Sequence, residues 1–304
     1  MKISSILICT ILATFALGAE VTEKPVQVVA STSDMADFAS QIGGDRVEVH
    51  AITKGQYDLH FFEPRPSEVM KLKRADMLIV AGMELDAFIP GLIDASRNSE
   101  IKHGAAGFVD PSRGVLAMDV PTERIDGRMG DVHPYGNPHF WLTPENVRIA
   151  CSNITVGLIR VSPSDEDYFR EREAQYVAQL DATYTRLKKR LAPYKGTSVL
   201  QFHPSWDYFC RTFGLNIEAS IEPKPGLAPS ASHLGKLVRV IREQDVRIAL
   251  VEPFYPDRPL RFLRSNTGIK TLRLPLYLGG ARDKKTYLEN LEFMVGEIET
   301  ALRE

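Results

Sequence analysis

Three of the seven histidines in the chain lie in separate loop segments, and each has a proline beside it or a few residues away. These residues are His60, His139 and His203. Neutral imidazole nitrogen is a borderline ligand, and three or four such groups around one cation are the usual composition of a zinc site. Each histidine follows an apolar stretch or a turn, so all three can meet at one edge of a sheet. We therefore expect them to bind one divalent metal ion.

Two further residues are candidates for the same site. Glu252 ends the apolar run 246–251, where a carboxylate is costly unless it is paired, so we expect it to be the fourth ligand; an ion pair with a residue such as Arg258 is the alternative. His133 lies in the polar segment 119–137, which is expected to be a mobile loop over the site. His133 is a candidate accessory metal ligand, with a solvated histidine as the alternative. The remaining histidines are assigned structural roles: His50, His103 and His233.

The elements that must position these residues alternate between short apolar strands and amphipathic helices. Strands are predicted at 26–30, 47–52, 77–81, 199–202, 215–219, 246–251 and 269–274. Helices are predicted at 34–42, from Pro66 onward, and at 85–95, 144–159, 205–213, 229–244 and 283–302. Strand, loop and helix repeated in this order imply an α/β fold with two parallel-sheet lobes. Because ligands bind beyond the carboxyl ends of such strands, the metal site is expected in the cleft between the lobes.

The segment 162–193 is predicted to form one long, rigid helix. It begins at Ser162-Pro163 with acidic residues in its first turn and ends with basic residues before Pro193, which matches the helix dipole. A helix of this length can brace two lobes, so we expect it to join a first lobe, 20–161, to a second lobe, 194–304. A surface helix belonging to one domain is the alternative.

The first residues and the composition bear on export and on partners. Residues 1–19 have the pattern of a secretory signal peptide, with one basic residue, a short apolar run and small residues at the exit. We therefore expect a periplasmic protein. The formal net charge is −2 and there is no basic stripe, so nothing supports nucleic-acid binding. An oxidising compartment permits a disulfide between Cys151 and Cys210, although two separate buried thiols are favoured.

Three stretches resemble the metal motifs of the periplasmic zinc- and manganese-binding proteins of ABC transporters. They are Gly55 to Glu68 around His60, Gly136 to Pro144 around His139, and Phe202 to Phe209 around His203. Their order and spacing agree over essentially the whole mature chain. The resemblance implies two α/β lobes joined by a single long helix. It also implies capture of a divalent metal outside the inner membrane and delivery to a cognate membrane permease.

The chain departs from the pattern of that family in two places. Leu59 stands where many members have proline, a change that we expect to be tolerated. The family often supplies an aspartate after the last strand, but 273–280 contains no carboxylate, so Glu252 is the predicted replacement and a water molecule the alternative. Manganese-preferring members use a carboxylate in place of the third histidine, so His203 favours zinc over manganese.

We therefore expect a monomeric binding protein with zinc as its cargo and no enzymatic activity; a manganese-binding member of the same family is an alternative. A second alternative is an exported zinc hydrolase, in which Glu252 or Asp207 would act as a base beside a metal-bound water. Neither a HExxH nor a GxSxG motif occurs in the sequence to support it. An adhesin or scaffold with the same fold is a third class, for which the sequence offers no distinct mark.

Overall fold

The computed structural model describes residues 24–123, 125, 130–281 and 283–304. The predicted signal peptide, residues 1–19, lies outside the described residues. Within the described ranges the chain forms two parallel sheets of four strands each. No helix in this part of the chain combines the length and the apolar composition needed to cross a membrane.

The first lobe surrounds a parallel sheet made of β1 Val26–Ala30, β2 Val47–Ala51, β3 Met77–Ile79 and β4 Phe108–Val109. The strand order is β2-β1-β3-β4. Its helices are α1 Ser33–Gly43, α2 Pro66–Leu72, α3 Ile89–Ser96 and α4 Pro144–Val161. The Thr32 hydroxyl accepts a hydrogen bond from the Met35 N–H at 3.3 Å, and this N-cap starts α1 directly after β1.

The second lobe repeats this plan with β5 Ser198–Gln201, β6 Asn216–Ser220, β7 Ile248–Val251 and β8 Lys270–Arg273. The strand order is β6-β5-β7-β8, and all neighbours are parallel. Its helices are α6 Asp207–Phe213, α7 Ala231–Glu243, α8 Asp257–Thr267 and α9 Tyr287–Arg303. The prediction of two parallel-sheet α/β lobes is therefore confirmed.

One long helix, α5 Glu166–Leu191, connects the lobes, with single 3-10 turns at Pro163–Asp165 and Ala192–Tyr194. Its buried stripe continues at intervals of three or four residues through Tyr176, Leu180, Tyr184, Leu187 and Leu191. It packs against α1 and α4 of the first lobe and against α6 and α9 of the second. The prediction of a bracing helix is confirmed, and the single-domain alternative is wrong.

Four details of the predicted elements are wrong. The short strand β4 and the helix α8 were not predicted. Helix α3 begins at Ile89 rather than at 85, because residues 85–88 form turns, in which the Leu85 N–H donates to the Gly82 carbonyl at 3.1 Å and the Ile89 N–H to the Asp86 carbonyl at 2.9 Å. Helix α9 begins at Tyr287 rather than at 283, where the capping box of Thr286 and Glu289 starts it.

The largest cluster of buried hydrophobic side chains is shared by the two lobes. It includes Phe38 of α1, Leu180 of α5 and Tyr287 of α9. Cys151 and Cys210 lie in the same cluster as buried free thiols, which agrees with the favoured alternative to a disulfide. A common core means that the lobes cannot separate along this side without exposing apolar surface.

Candidate metal centre

His60 is carried by a short 3-10 turn, Leu59–Phe61, in the loop after β2. The buried Leu59 side chain anchors the turn, and the Asp58 carboxylate accepts a hydrogen bond from the His60 N–H at 3.0 Å. The loop is tied to the second lobe, since the Gly55 N–H donates to the Leu278 carbonyl at 3.1 Å. A Cβ atom at Gly55 would lie 2.4 Å from the Tyr277 carbonyl, so only glycine fits there.

His139 is buried at the entrance to the 3-10 turn Phe140–Leu142, which precedes α4. Its conformation is held by Asn137, whose Oδ1 accepts hydrogen bonds from both the His139 N–H at 3.1 Å and the ring Nδ1 at 2.9 Å. The Asn137 amide nitrogen donates to the Pro204 carbonyl at 2.8 Å. Asn137 therefore connects His139 to the loop that carries His203.

His203 lies two residues beyond the end of β5 and is buried. Its Nδ1 is 2.9 Å from Oε2 of Glu222, a buried carboxylate that also accepts from the Gly226 N–H at 3.1 Å. Because a carboxylate oxygen accepts, the proton of this hydrogen bond belongs to the imidazole. Glu222 follows β6, so the ends of two neighbouring strands position this histidine together.

The structure brings His60, His139 and His203 together in the cleft. One ring nitrogen of each lies within 4.8 Å of the corresponding atom of the other two. The ring centroids are 5.9 Å apart for His60 and His139, 5.2 Å for His60 and His203, and 5.6 Å for His139 and His203. Imidazoles from both lobes therefore converge on one point.

Each of the three rings has its Nδ1 in a hydrogen bond to an oxygen acceptor. The acceptor of His60 is Oδ2 of Asp131 at 2.7 Å, and those of the other two rings are Asn137 and Glu222. With the proton on Nδ1, the lone pair of Nε2 is free to bind a cation. Nε2 of His60 is buried and has no hydrogen-bond partner among the described residues. This is the outer arrangement that orients histidines on a metal.

The electrostatic environment keeps part of this cluster neutral. Burial, reinforced by the neighbouring imidazoles of His203 and His60, holds the pKa of His139 well below its usual value. The hydrogen bond from His60 lowers the pKa of Asp131, which stays ionised. A neutral ring with an available lone pair is the form of histidine that binds metals.

Glu252 lies directly after β7 and is almost completely buried. One carboxylate oxygen accepts a hydrogen bond from the Ser205 hydroxyl, and the other, Oε2, has no partner among the described residues. The alternative ion pair with Arg258 is not formed within the described ranges. Burial raises the pKa of Glu252 to about 8. Its oxygens are not among the donor atoms that cluster within 4.8 Å in this part of the chain.

His133 lies on the other side of His60, with ring centroids 5.1 Å apart. His60, Asp131 and His133 form a second group whose donor atoms lie within 4.8 Å of one another. Burial lowers the pKa of His133 to about 4, while a hydrogen bond to the Met83 backbone acts in the opposite direction. Its Nε2 is buried and has no partner among the described residues. Only part of the predicted 119–137 loop is described, and its mobility stays a prediction.

Sequence reasoning missed the residues that orient the ligands, namely Asp131, Asn137 and Glu222. The only local signal was their position: Asn137 stands two residues before His139, and Asp131 two residues before His133. The histidines assigned structural roles have ordinary partners. His50 is 2.7 Å from Glu68, His103 contacts the Phe108 ring, and His233 lies in the first turn of α7, where its ring reaches the Ser220 carbonyl.

Two parallel-sheet lobes joined by a long helix, with imidazoles of both lobes meeting in the cleft, define a metal-binding substrate-binding protein of ABC transporters. The family described as ZnuA, zinc-uptake complex component A periplasmic, matches residues 28–301, and the chain belongs to that family. This family consists of transporter solute-binding proteins, so it gives the hydrolase alternative no support.

Individual relatives differ in the metal that their names give. The high-affinity zinc uptake system protein ZnuA of Bacillus subtilis is 25% identical over 252 residues, covering 81% of this chain and 76% of its own. The manganese ABC transporter substrate-binding lipoprotein PsaA of Streptococcus anginosus is also 25% identical, over 250 residues, covering 80% of this chain and 77% of its own. A crystal structure of a ZnuA deletion mutant with zinc bound superposes with a TM-score of 0.77 at 24% identity, covering 91% of this chain and 98% of its own.

Proposed function

We propose that the cleft binds one zinc ion through His60, His139 and His203 and that the protein delivers this ion to the permease of an ABC transporter. The observation that carries the proposal is the convergence of three imidazole donor atoms within 4.8 Å, each ring held through Nδ1 by an oxygen acceptor. Such a set has its lone pairs directed inward before any ion arrives, so little reorganisation is needed on binding.

Zinc is proposed over manganese because of the donor atoms. Imidazole suits zinc, whereas manganese favours carboxylate, carbonyl and water oxygens. The third position of the cluster is the imidazole of His203 rather than a carboxylate. Copper binds such nitrogen sites more tightly still, so selection against it depends on availability in the compartment.

We propose Glu252 as the fourth ligand, with a water molecule as the alternative, and His133 as an accessory ligand. Glu252 is supported by its position at the end of β7, where its buried Oε2 has no partner among the described residues. Its other oxygen accepts from Ser205, which belongs to the loop that carries His203. His133 is supported by its buried, unpartnered Nε2 and by its packing against the His60 ring, and we propose it as the accessory ligand. Asp131 already accepts a hydrogen bond from His60, so its role in the second cluster is orientation.

The rest of the proposal concerns the working form of the protein. Residues 1–19 would be removed on export to the periplasm, and the mature chain would act as a monomer. Its lobes would be 20–161 and 194–304, joined by 162–193. Because the lobes share a core along α5, loading would involve small changes in the cleft loops rather than a large closure.

A competition titration against a chromophoric zinc chelator tests the ligand assignment. Metal-free wild-type protein should bind one zinc ion and bind manganese more weakly. His60→Ala and His203→Ala should lose most of the zinc affinity. The matched control is His50→Ala, which removes a histidine of β2 that is paired with Glu68, and this variant should bind zinc as wild type does. Wild-type affinity in both cleft variants would refute the site.

Two further variants decide the fourth donor. If Glu252 binds the ion, Glu252→Gln should weaken zinc binding while His133→Ala does not. The reverse pattern would assign the position to His133, and wild-type binding in both variants would assign it to a water molecule. Transport itself is tested by growth under zinc limitation of cells that lack the endogenous protein. Wild-type chain should restore growth and His139→Ala should not. Equal growth with both would show that zinc uptake does not depend on His139.

A further inference from the structure

Asp131 contacts both sides of the cleft at once. Its carboxylate accepts the hydrogen bond from Nδ1 of His60 in the first lobe at 2.7 Å. Its backbone N–H donates to the carbonyl of Pro225, in the loop that follows β6 of the second lobe, at 3.0 Å. A single residue therefore orients a proposed ligand of one lobe while its backbone is hydrogen-bonded to the other lobe.

The loop on the opposite side has the matching arrangement. Glu222, at its start, accepts hydrogen bonds from Nδ1 of His203 and from the N–H of Gly226. Pro225, between these two residues, is the acceptor for Asp131. The carboxylates that orient His60 and His203 are thus linked through one backbone hydrogen bond between the lobes.

This contact requires that residue 130 have no side chain. Gly130 has a φ angle of +83°, and a Cβ atom there would lie 2.4 Å from the Pro225 carbonyl oxygen. On the opposite side Gly226 has a φ angle of +75°, which favours glycine, and a Cβ atom there would be in ordinary van der Waals contact with the Phe61 ring at 3.6 Å and Asp131 at 3.7 Å. Residue 130 and Pro225 therefore approach as closely as backbone allows.

The contact lies at the surface, unlike the imidazole cluster beneath it. Gly130 and Gly226 are exposed, Pro225 is half-buried, and the Asp131 side chain is 39% exposed. Breaking it exposes little apolar surface, so opening this contact costs far less than separating the shared core of the lobes.

We propose that Gly130 and Asp131 form a latch, closed by the Asp131–Pro225 hydrogen bond, that controls how fast the bound metal ion leaves the cleft. When the latch is closed, Asp131 and Glu222 hold His60 and His203 in their binding orientation. When it opens, both orienting carboxylates are released together and the rings are free to turn away from the ion. Asp131 is a positioning residue in this scheme, and the inference rests on the proposed function of the cleft.

Gly130→Ala tests the latch without removing any side chain. The matched control is Gly104→Ala, since Gly104 has a similar positive φ angle of +87° but a Cβ atom there would have no neighbour within 4 Å. Both variants place alanine at a positive φ angle, and only Gly130→Ala meets Pro225. The measurement is the rate of zinc transfer from loaded protein to excess chromophoric chelator in a stopped-flow instrument. Gly130→Ala should release zinc about tenfold or more faster than wild type, and Gly104→Ala at the wild-type rate.

A second pair of variants separates the carboxylate from the fold. Asp131→Asn keeps an oxygen acceptor for His60 and the same backbone N–H, so it should release zinc close to the wild-type rate. Asp131→Ala should release zinc about 10–100 times faster, the range found when an outer-shell partner of a metal ligand is lost. Melting curves of the metal-free proteins identify any variant that is simply unfolded.

The outcomes distinguish the latch from the binding site. If wild-type protein binds zinc through the cleft histidines but Gly130→Ala and Asp131→Ala release it at the wild-type rate, the latch is refuted and the proposed function stands. If His60→Ala and His203→Ala bind zinc as wild type does, the proposed function fails and the latch fails with it. Faster release from Gly130→Ala than from Gly104→Ala supports the latch.

Discussion

Two of the contacts between the lobes are built in opposite ways. One is the buried seam, where α1 of the first lobe meets Leu278 and Tyr287 of the second. The other is the mouth contact, where 130–131 meet 225–226. The seam is made of buried side chains, whereas the mouth contact is a surface contact between glycine-containing backbone segments. A binding protein needs both, because one side must hold the lobes in register while the other lets an ion pass.

The seam is stabilised by polar groups that are satisfied across the lobes. The Tyr287 hydroxyl donates to the Trp141 carbonyl at 2.5 Å and accepts from the Tyr184 hydroxyl at 2.7 Å. The Tyr287 N–H donates to the Asp37 carboxylate at 2.8 Å. Each of these buried groups would lose its partner if the lobes moved apart, and an unpaired buried polar group costs about 1–3 kcal/mol.

The largest expected effect comes from breaking the seam. Tyr287→Ala should lower the free energy of unfolding of the metal-free protein by about 3–5 kcal/mol, because it leaves a large cavity and removes the hydroxyl hydrogen bonds. Tyr287→Phe, which removes only the hydroxyl, should cost about 1–3 kcal/mol. Urea denaturation measures both. Tyr135→Ala is the control, since that ring is 61% exposed. A loss in Tyr287→Ala no larger than in Tyr135→Ala would mean that the seam does not hold the lobes.

The second expected effect lies on the cleft side. Zinc in about 1,000-fold excess over its dissociation constant should raise the free energy of unfolding of wild-type protein by about 4 kcal/mol through mass action. His139→Ala should lose most of that rise, while His103→Ala, which removes a ring from the first-lobe surface beside Phe108, should keep it. Thermal melts with zinc and with chelator give the comparison. An equal zinc-induced rise in His139→Ala would remove that residue from the site.

The sequence was most informative where position in the chain decides geometry. His203 and Glu252 could be assigned to the cleft because each directly follows an apolar strand, and parallel strands present their carboxyl ends at one edge. The bracing role of 162–193 followed from its length and its charged ends. These inferences need only local pattern and the regularity of α/β folds.

The residues that orient the ligands could not be identified in the same way. Asp131, Asn137 and Glu222 occupy irregular segments without periodicity, and which oxygen faces which imidazole is decided by how the two lobes dock. Helix α8 was not predicted, because residues 254–257, between β7 and the first turn of α8, have a sequence typical of a loop. Loop docking depends on long-range packing, which leaves no spacing pattern in the chain.

A pH experiment sharpens the description of the seam. Asp34 is buried at the start of α1 and accepts hydrogen bonds from the Leu278 N–H, and burial raises the pKa of Asp34 to about 8. Its unfolded pKa is about 3.9, so between these values the folded state binds a proton that the unfolded state lacks. The stability contributed by this group is therefore complete below pH 4 and is lost as the pH rises towards about 8.

Asp34→Asn should flatten this part of the pH profile, because the amide cannot ionise and its oxygen can still accept from Leu278. The comparison is the free energy of unfolding of metal-free wild type and variant at several values between pH 5 and 8. Asp94→Asn, at an exposed position of α3, should leave the slope unchanged. A wild-type slope in Asp34→Asn would show that the seam does not hold a protonated carboxyl at this position.

The smallest expected effect is at Asn137, which belongs neither to the seam nor to the mouth contact but connects His139 to the second lobe. Asn137→Ala removes the acceptor of the His139 ring and the donor to Pro204, so zinc affinity should fall about tenfold, or about 1.4 kcal/mol. Asn153→Ala is the matched control, because the hydrogen bonds of its amide within the described residues go to the first-lobe carbonyls of Pro111 and Arg113. A chelator competition titration measures the zinc affinity of both variants. Wild-type affinity in Asn137→Ala would show that burial alone keeps the His139 ring in its orientation. The packing of the lobes, rather than hydrogen bonds to polar partners, would then position the histidine cluster.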